Sequence, residues 1–153
     1  MATEPGFFNI GLYNFDGEGS YPPEDTGLHA ITGQAADMGR FRTPSLRNVA
    51  VTGPWGHDGS LASLEGVIES YARGGRLLAS GAYAGDGADS PLKEVWISGF
   101  EMSEDEADNM LAFLEALTDE GVLTDPQFAN PFCVDSETDL VDCIEPVMGP
   151  GTD

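Results

Sequence analysis

Apolar positions recur at helical spacing in only two stretches of this chain. In the first, Leu64, Val67, Ile68 and Tyr71 fall on one face, the three-and-four spacing of an amphipathic helix. Ser63 stands where a side chain can accept from the first free N–H groups, and Glu65 suits the positive end of the helix dipole. Arg73 closes the segment and Gly74-Gly75 stops it, because glycine takes the left-handed conformation after a helix without strain. In the second stretch, Ala107, Met110, Leu111, Leu114 and Leu117 share a face over 104–118. Ser103 and Glu106 have the spacing of a capping box there.

The rest carries turn signals and no sustained period. Residues 1–37 alternate short apolar clusters with turns, which suggests loops around the aromatics Phe7, Phe8, Tyr13 and Phe15. Pro44 and Pro54 interrupt residues 38–60, leaving room for one helical turn around Ser45–Val49. Residues 77–91 are rich in Gly, Ala and Ser and read as a loop or flap. No strand pattern is convincing, so the expectation is an all-α fold with long ordered loops. Irregular segments of that length inside one domain call for something that organises them, such as a cofactor or metal.

Charge narrows the partners. The 153 residues carry 27 Asp+Glu against 6 Lys+Arg, a formal net charge of −21. Phosphate binding needs clustered Lys and Arg, so nucleic acid is excluded, and an anionic membrane surface with it. No apolar run approaches a membrane span, and MATEPGFF does not read as a signal peptide. Yet all six basic residues, Arg40, Arg42, Arg47, Arg73, Arg76 and Lys93, lie within 40–93 beside five acids, giving that window +1. Either these side chains neutralise a bound anion, or they pair with local carboxylates such as Asp37, Asp58 or Glu65. Cys133 and Cys143 are the only cysteines. A disulfide closing a short loop is the favoured use and two free thiols the alternative.

Histidine is equally scarce: His29 and His57. His57 sits in T-G-P-W-G-H-D-G-S, and a lone loop histidine is more often a structural hydrogen-bonding residue than a ligand. Taken together, FNIGLYN, DMGRFRTPSLRNVAVTGPWGHDGSLASLEGVIESYARGG and ISGFEMSEDEADNMLAFLEALTDE closely resemble the C-terminal half of bacterial di-haem cytochrome c peroxidases. The resemblance runs from Phe7 to Phe132. It is nearest to the branch that contains the methylamine-dehydrogenase maturation enzyme and the methanobactin-cassette di-haem enzymes.

The resemblance implies a cytochrome c-like helical domain over residues 1–132; beyond it, composition and cysteine spacing read 133–153 as an acidic tail with Cys133–Cys143 as the favoured disulfide. Family members hold two covalent haem c groups with a calcium ion between their domains. Thr52 and Pro54 match positions whose backbone carbonyls bind that calcium, and hard oxygen donors suit Ca²⁺. Tyr71, fourteen residues after His57, matches the distal axial position on the haem iron. Ordinary members carry methionine there, a soft ligand that favours Fe(II); a phenol is a hard donor that favours Fe(III) and higher states. Packing in a helix interface is the bland use of the same tyrosine. Arg42 and Arg47 fit a role against haem propionates, with Arg73 or Arg76 contributing. His57 fits a tether near the cofactors rather than an iron ligand, and Trp55 fits an aromatic position near the electron path or in the scaffold. The implied activity is that of a periplasmic peroxidase-type oxidoreductase. It would use hydrogen peroxide to oxidise a small redox protein or a protein side chain.

One family element is absent from this sequence. Covalent haem attachment needs C-x-x-C-H, and no such motif occurs in these 153 residues. The expectation is a chain beginning just after its attachment site, inactive alone and missing its N-terminal haem domain. A split subunit and a degenerate domain are the other readings of that departure. A second function class is a haem-less, calcium-binding structural or interaction module. Asn14, Asp16, Glu18, Gly19 and Asp25 loosely echo an EF-hand loop. The acidity is also compatible with adaptation to high salt.

Overall fold

The computed structural model describes residues 6–125 and Gln127. Cys133, Cys143 and the tail reading therefore lie outside the described residues. The chain divides into two compact units, residues 1–117 and 118–153. In the first, β1 (Phe7–Phe8), α1 (His29–Thr32), β2 (Phe41–Arg42), α2 (Leu64–Arg73), β3 (Leu77–Leu78), β4 (Gly85–Asp86) and α3 (Glu104–Glu115) follow in order. Single 3₁₀ turns lie at Ala35–Asp37, Val49–Val51 and Gly87–Asp89. The second unit holds α4 (Glu120–Thr124), capped by the Asp119 carboxylate accepting from the Gly121 N–H at 3.0 Å.

The all-α expectation is wrong. β1 pairs antiparallel with β2, Phe7 opposite Arg42 and Phe8 opposite Phe41. β3 pairs antiparallel with β4, Leu77 opposite Asp86 and Leu78 opposite Gly85. The fold is mixed, with helices joined to two small ladders. Two residues per strand cannot display the alternation that marks a strand in sequence, so these ladders left no readable trace. The helical turn expected around Ser45–Val49 lies later, at Val49–Val51.

The two periodic stretches do form the long helices. Ser63 caps α2 by accepting from the Gly66 N–H at 3.1 Å, and Gly74 ends it at φ 83°. A Cβ at Gly74 would also meet the Gly99 nitrogen at 2.9 Å, so the following loop packs against the helix end. Leu64 and Ile68 are buried as expected. The Ser103–Glu106 capping box is present on α3. That helix stops at Glu115, short of Thr118, because the Leu117 carbonyl accepts from the Asn48 N–H at 3.1 Å instead of continuing the ladder. Ala107, Leu111 and Leu114 are half-buried, while Met110 and Phe113 are exposed. No described helix is long and apolar enough to cross a membrane.

Side-chain amides do in the loops what ladders do elsewhere. Buried backbone groups must find partners. Fully buried Asn9 donates to the Met38 carbonyl at 2.8 Å and accepts from the Gly11 N–H at 2.9 Å and the Tyr21 hydroxyl at 3.0 Å. Asn14 donates to the Asp86 carbonyl at 2.9 Å and accepts from the Gly19 N–H at 2.8 Å. Three chain segments then stack backbone to backbone: Arg76 N–H donates to the Gly11 carbonyl at 2.9 Å, and Gly87 N–H to the Arg76 carbonyl at 2.8 Å. A Cβ at Gly87 would collide with the Gly11 carbonyl oxygen, which cannot swing aside as a side chain would. Gly87→Ala is expected to lower stability by about 2–3 kcal/mol, read as a lower denaturation midpoint with an unchanged slope.

Candidate functional site

The loop after the Val49–Val51 turn brings several of the sequence-selected residues together. Trp55 and Leu61 form an antiparallel bridge, with N–H to carbonyl distances of 2.8 and 2.9 Å. The Trp55 indole N–H donates to the Val49 carbonyl at 2.8 Å, which ties the loop to the preceding turn. Trp55 is thus built into the scaffold. Its ring lies over Gly53, where a Cβ would come within 2.9 Å of it. Gly53–Pro54 is a cis peptide. Among the described residues, neither the Thr52 nor the Pro54 carbonyl accepts a hydrogen bond, and both residues are exposed.

His57 reaches away from this loop. Its Nε2 lies 2.8 Å from the Asp25 carboxylate, and its ring stacks on Phe41 with centroids 3.5 Å apart. Phe41 precedes Arg42 on β2, so His57 joins the loop to the strand that carries one of the candidate arginines.

The six basic residues divide. Arg73 forms a two-pronged pair with Asp86 at 2.7 and 2.5 Å. Arg40 lies 3.0 Å from Glu94 and donates to the Ala36 carbonyl at 2.9 Å. Lys93 donates to the Gly74 carbonyl at 2.7 Å. Arg76 is buried, donating to the Leu12 carbonyl at 3.1 Å, to Asp58 at 3.4 Å and to the Ser60 hydroxyl. Its Nη2 is buried without a partner among the described residues. Arg42 and Arg47 are exposed, and neither guanidinium has an ion pair or hydrogen bond among the described residues. The carboxylate-pairing reading of the basic window holds for Arg40, Arg73 and Arg76, and the anion reading is left to Arg42 and Arg47.

Tyr71, on the last turn of α2, keeps 39% of its surface open. Its hydroxyl has no hydrogen-bond partner among the described residues, and burial of the ring pushes its phenol above the ordinary value. Exposed apolar side chains gather on the elements around it. Val51 lies on the 3₁₀ turn that packs with α3, Phe113 lies on α3 itself, α3 packs with α2, and the Phe100 N–H donates to the Ala72 carbonyl of α2 at 2.8 Å. Among the described residues, a phenol and two guanidiniums without partners and open apolar surface match in kind what haem iron, propionates and porphyrin would meet. These residues fit the group.

Sequence reading did not find the cluster beside His57. Tyr13 donates to Asp58 at 2.6 Å, and the Arg76 guanidinium lies over the Tyr13 ring, 4.4 Å from its centre. A cavity of about 160 Å³ opens here, lined among others by Tyr13, Tyr21, Asp25, Phe41, His57 and Tyr83. Burial pushes the Tyr21 phenol up to about 12. Burial alone would raise the Asp58 carboxyl, but hydrogen bonds from Ser60 and Tyr13 outweigh it and hold the group below its usual range. The clues in sequence were the D-G-S turn after His57 and the choice of Asp58 as one of the carboxylates for the arginines.

The EF-hand-like segment does not gather carboxylates. Asp16 accepts from the Glu18 and Ser20 N–H groups at 2.9 and 3.1 Å, Asn14 is spent on the backbone, and Asp25 faces His57. Among the described residues no three His, Cys, Asp or Glu side chains are placed to hold a metal ion.

Comparison with known proteins identifies the setting. The chain is 36% identical over 129 residues to the methylamine utilization protein MauG of Methylorubrum extorquens, covering 82% of this chain and 31% of that protein. It is 36% identical over 94 residues to the cytochrome-c peroxidase IdrP1 of Denitromonas iodatirespirans, covering 61% of this chain and 22% of that one. A solved structure of a MauG-like protein associated with microbial copper homeostasis superposes with a TM-score of 0.81. It shares 50% identity over 86% of this chain and 37% of that chain. The relatives are di-haem cytochrome c peroxidase-like proteins, and the chain matches a part of that family. It spans about a third of the length of MauG and of the MauG-like structure. No family model matches it. Haem c is the cofactor of this family, and the resemblance drawn from the motif around His57 holds.

Proposed function

We propose that this chain is the tyrosine-bearing haem domain of a periplasmic peroxidase-type oxidoreductase. With hydrogen peroxide, the family-length protein would oxidise a small redox protein or a protein side chain. The observation that carries this reading is Tyr71: a phenol without a hydrogen-bond partner among the described residues, on an apolar helix face and within the segment matched to MauG. Haem c, when bound, supplies iron able to exchange electrons one at a time with peroxide and donor.

The chain's own residues then have separable tasks. Tyr71 would hold the iron as a hard oxygen ligand on the distal side. Burial raises its phenol above the ordinary value in the chain alone, and a cation at the oxygen would act in the opposite direction. Arg42 and Arg47 would meet the propionate carboxylates, where a planar guanidinium matches a carboxylate edge. The free Thr52 and Pro54 carbonyls would contribute to a calcium site, with further oxygens from outside the described residues. His57, held by Asp25 and Phe41, orients the loop that carries those carbonyls and Trp55.

Activity is tested on the family-length protein, purified with its haem, by adding peroxide and a reduced donor and following donor oxidation. Donor oxidation that depends on both peroxide and haem supports the reading; donor left reduced despite bound haem would contradict it. The arginines make a sharper prediction. Because neither has a partner in the described fold, Arg42→Gln and Arg47→Gln should change stability by no more than about 0.5 kcal/mol. Each should nonetheless lower the haem reduction potential, since a cation beside the propionates is lost. Potentiometry beside chemical denaturation reads both effects.

A further inference from the structure

Two tyrosines of this cluster each donate to a carboxylate. Tyr13 donates to Asp58 at 2.6 Å and Tyr83 donates to Glu24 at 2.9 Å. Their rings meet edge to face with centroids 6.2 Å apart, and the Tyr83–Glu24 bond is exposed. A phenol gives up an electron with difficulty on its own, because its radical cation is a very strong acid. A carboxylate already holding the hydroxyl hydrogen lets proton and electron leave together. Tyr21, whose ring also touches Tyr13, lacks this help: it donates to the Asn9 amide oxygen, a far weaker base, and is buried.

We propose that Tyr83 and Tyr13 form a proton-coupled relay that carries single electrons from a donor at the surface to a one-electron oxidant inside the protein, the peroxide-oxidised haem of the proposed function. In the first step Tyr13 loses an electron to the oxidant, which is reduced by one electron. The phenolic proton passes to Asp58, leaving a neutral phenoxyl radical and a carboxylic acid. In the second step Tyr83 gives an electron to Tyr13 and its proton to Glu24, while Asp58 returns its proton to the Tyr13 oxygen. A one-electron donor in solution then reduces Tyr83, and Glu24 returns the proton. Direction is built in. The Arg76 cation over the Tyr13 ring makes Tyr13 harder to oxidise than Tyr83, so the electron vacancy settles at the surface. Both phenols enter protonated: burial and the Asp58 hydrogen bond raise Tyr13, and the Glu24 hydrogen bond raises Tyr83.

The relay rests on the proposed function only for the identity of its internal oxidant, so the test supplies another. The full chain is illuminated with tris(bipyridine)ruthenium and persulfate, a one-electron photo-oxidant with its sacrificial acceptor. Freeze-quench electron paramagnetic resonance reads phenoxyl radicals, and peptide mass spectrometry maps dityrosine cross-links. Wild type should cross-link through Tyr83. Tyr83→Phe should lose that cross-link and keep a phenoxyl signal on Tyr13, and the Tyr13→Phe/Tyr83→Phe pair should lose most of the signal. Glu24→Gln should slow Tyr83 radical formation several-fold, with Glu24→Asp restoring it. Circular dichroism matching wild type establishes that each variant is folded. Wild-type phenoxyl yield in the double variant, or an unchanged rate in Glu24→Gln, would overturn the relay. Neither result depends on haem, so this outcome is separate from that of the peroxidase reading.

Discussion

Alanine at position 58 is expected to remove about 4 kcal/mol of folding free energy, because it strands a buried cation. Arg76 is 8% exposed and reaches Asp58 at 3.4 Å, with the Tyr13 hydroxyl and Ser60 hydroxyl on the same carboxylate at 2.6 Å each. Removing the carboxylate leaves the guanidinium with the Leu12 carbonyl and the Ser60 hydroxyl. One of its nitrogens already lacks a partner among the described residues. Few buried apolar side chains stand by to compensate: Leu12, Tyr21, Leu64, Ile68 and Ile97 are the buried hydrophobic residues described. A loss of this size is a large fraction of what holds an ordinary domain together.

The same contact predicts a pH dependence with a definite sign. Asp58 is held below the usual carboxylate range in the folded chain, so the unfolded chain takes up its proton first as the pH falls. The stabilisation is fully present above the unfolded value and disappears as pH falls through the folded one. The wild-type advantage over Asp58→Ala should therefore be constant near neutrality and shrink in acid. Urea denaturation of both chains across that range measures it. A gap independent of pH would mean that Asp58 acts through packing rather than through its charge.

Legibility in the sequence followed the length of each feature. Ten and twelve residues of period gave α2 and α3, and their caps at Ser63, Gly74 and Ser103 were named correctly because capping needs only local chemistry. The β1–β2 and β3–β4 ladders were invisible because two residues have no period, and Asn9 and Asn14 because a buried amide looks like any loop asparagine. Pairing across long separations was partly legible. Asp58 was among the carboxylates named for the arginines, whereas Asp86 as the partner of Arg73 was not. The motif from Arg42 to Gly75 carried the family, since it is long and specific. The Tyr13–Asp58–Arg76 network escaped, because its members stand up to 63 positions apart in chain order and nothing local marks them.

Tyr71 carries the assignment of this chain to haem chemistry. A phenylalanine there keeps the ring and removes the phenol oxygen, so the fold should stand while the iron loses that ligand. Peroxide-driven oxidation by the family-length protein should fall by about 100-fold, equivalent to about 2.7 kcal/mol of barrier. The haem potential should rise, because a hard anionic donor that favours Fe(III) is gone. Reduced activity alone would not distinguish a lost ligand from a disturbed pocket; a vibration between iron and phenolate oxygen does. Resonance Raman of the ferric, haem-loaded family-length protein should show iron–phenolate bands in wild type and none in Tyr71→Phe. Identical spectra from the two proteins would contradict the assignment of Tyr71 to the iron.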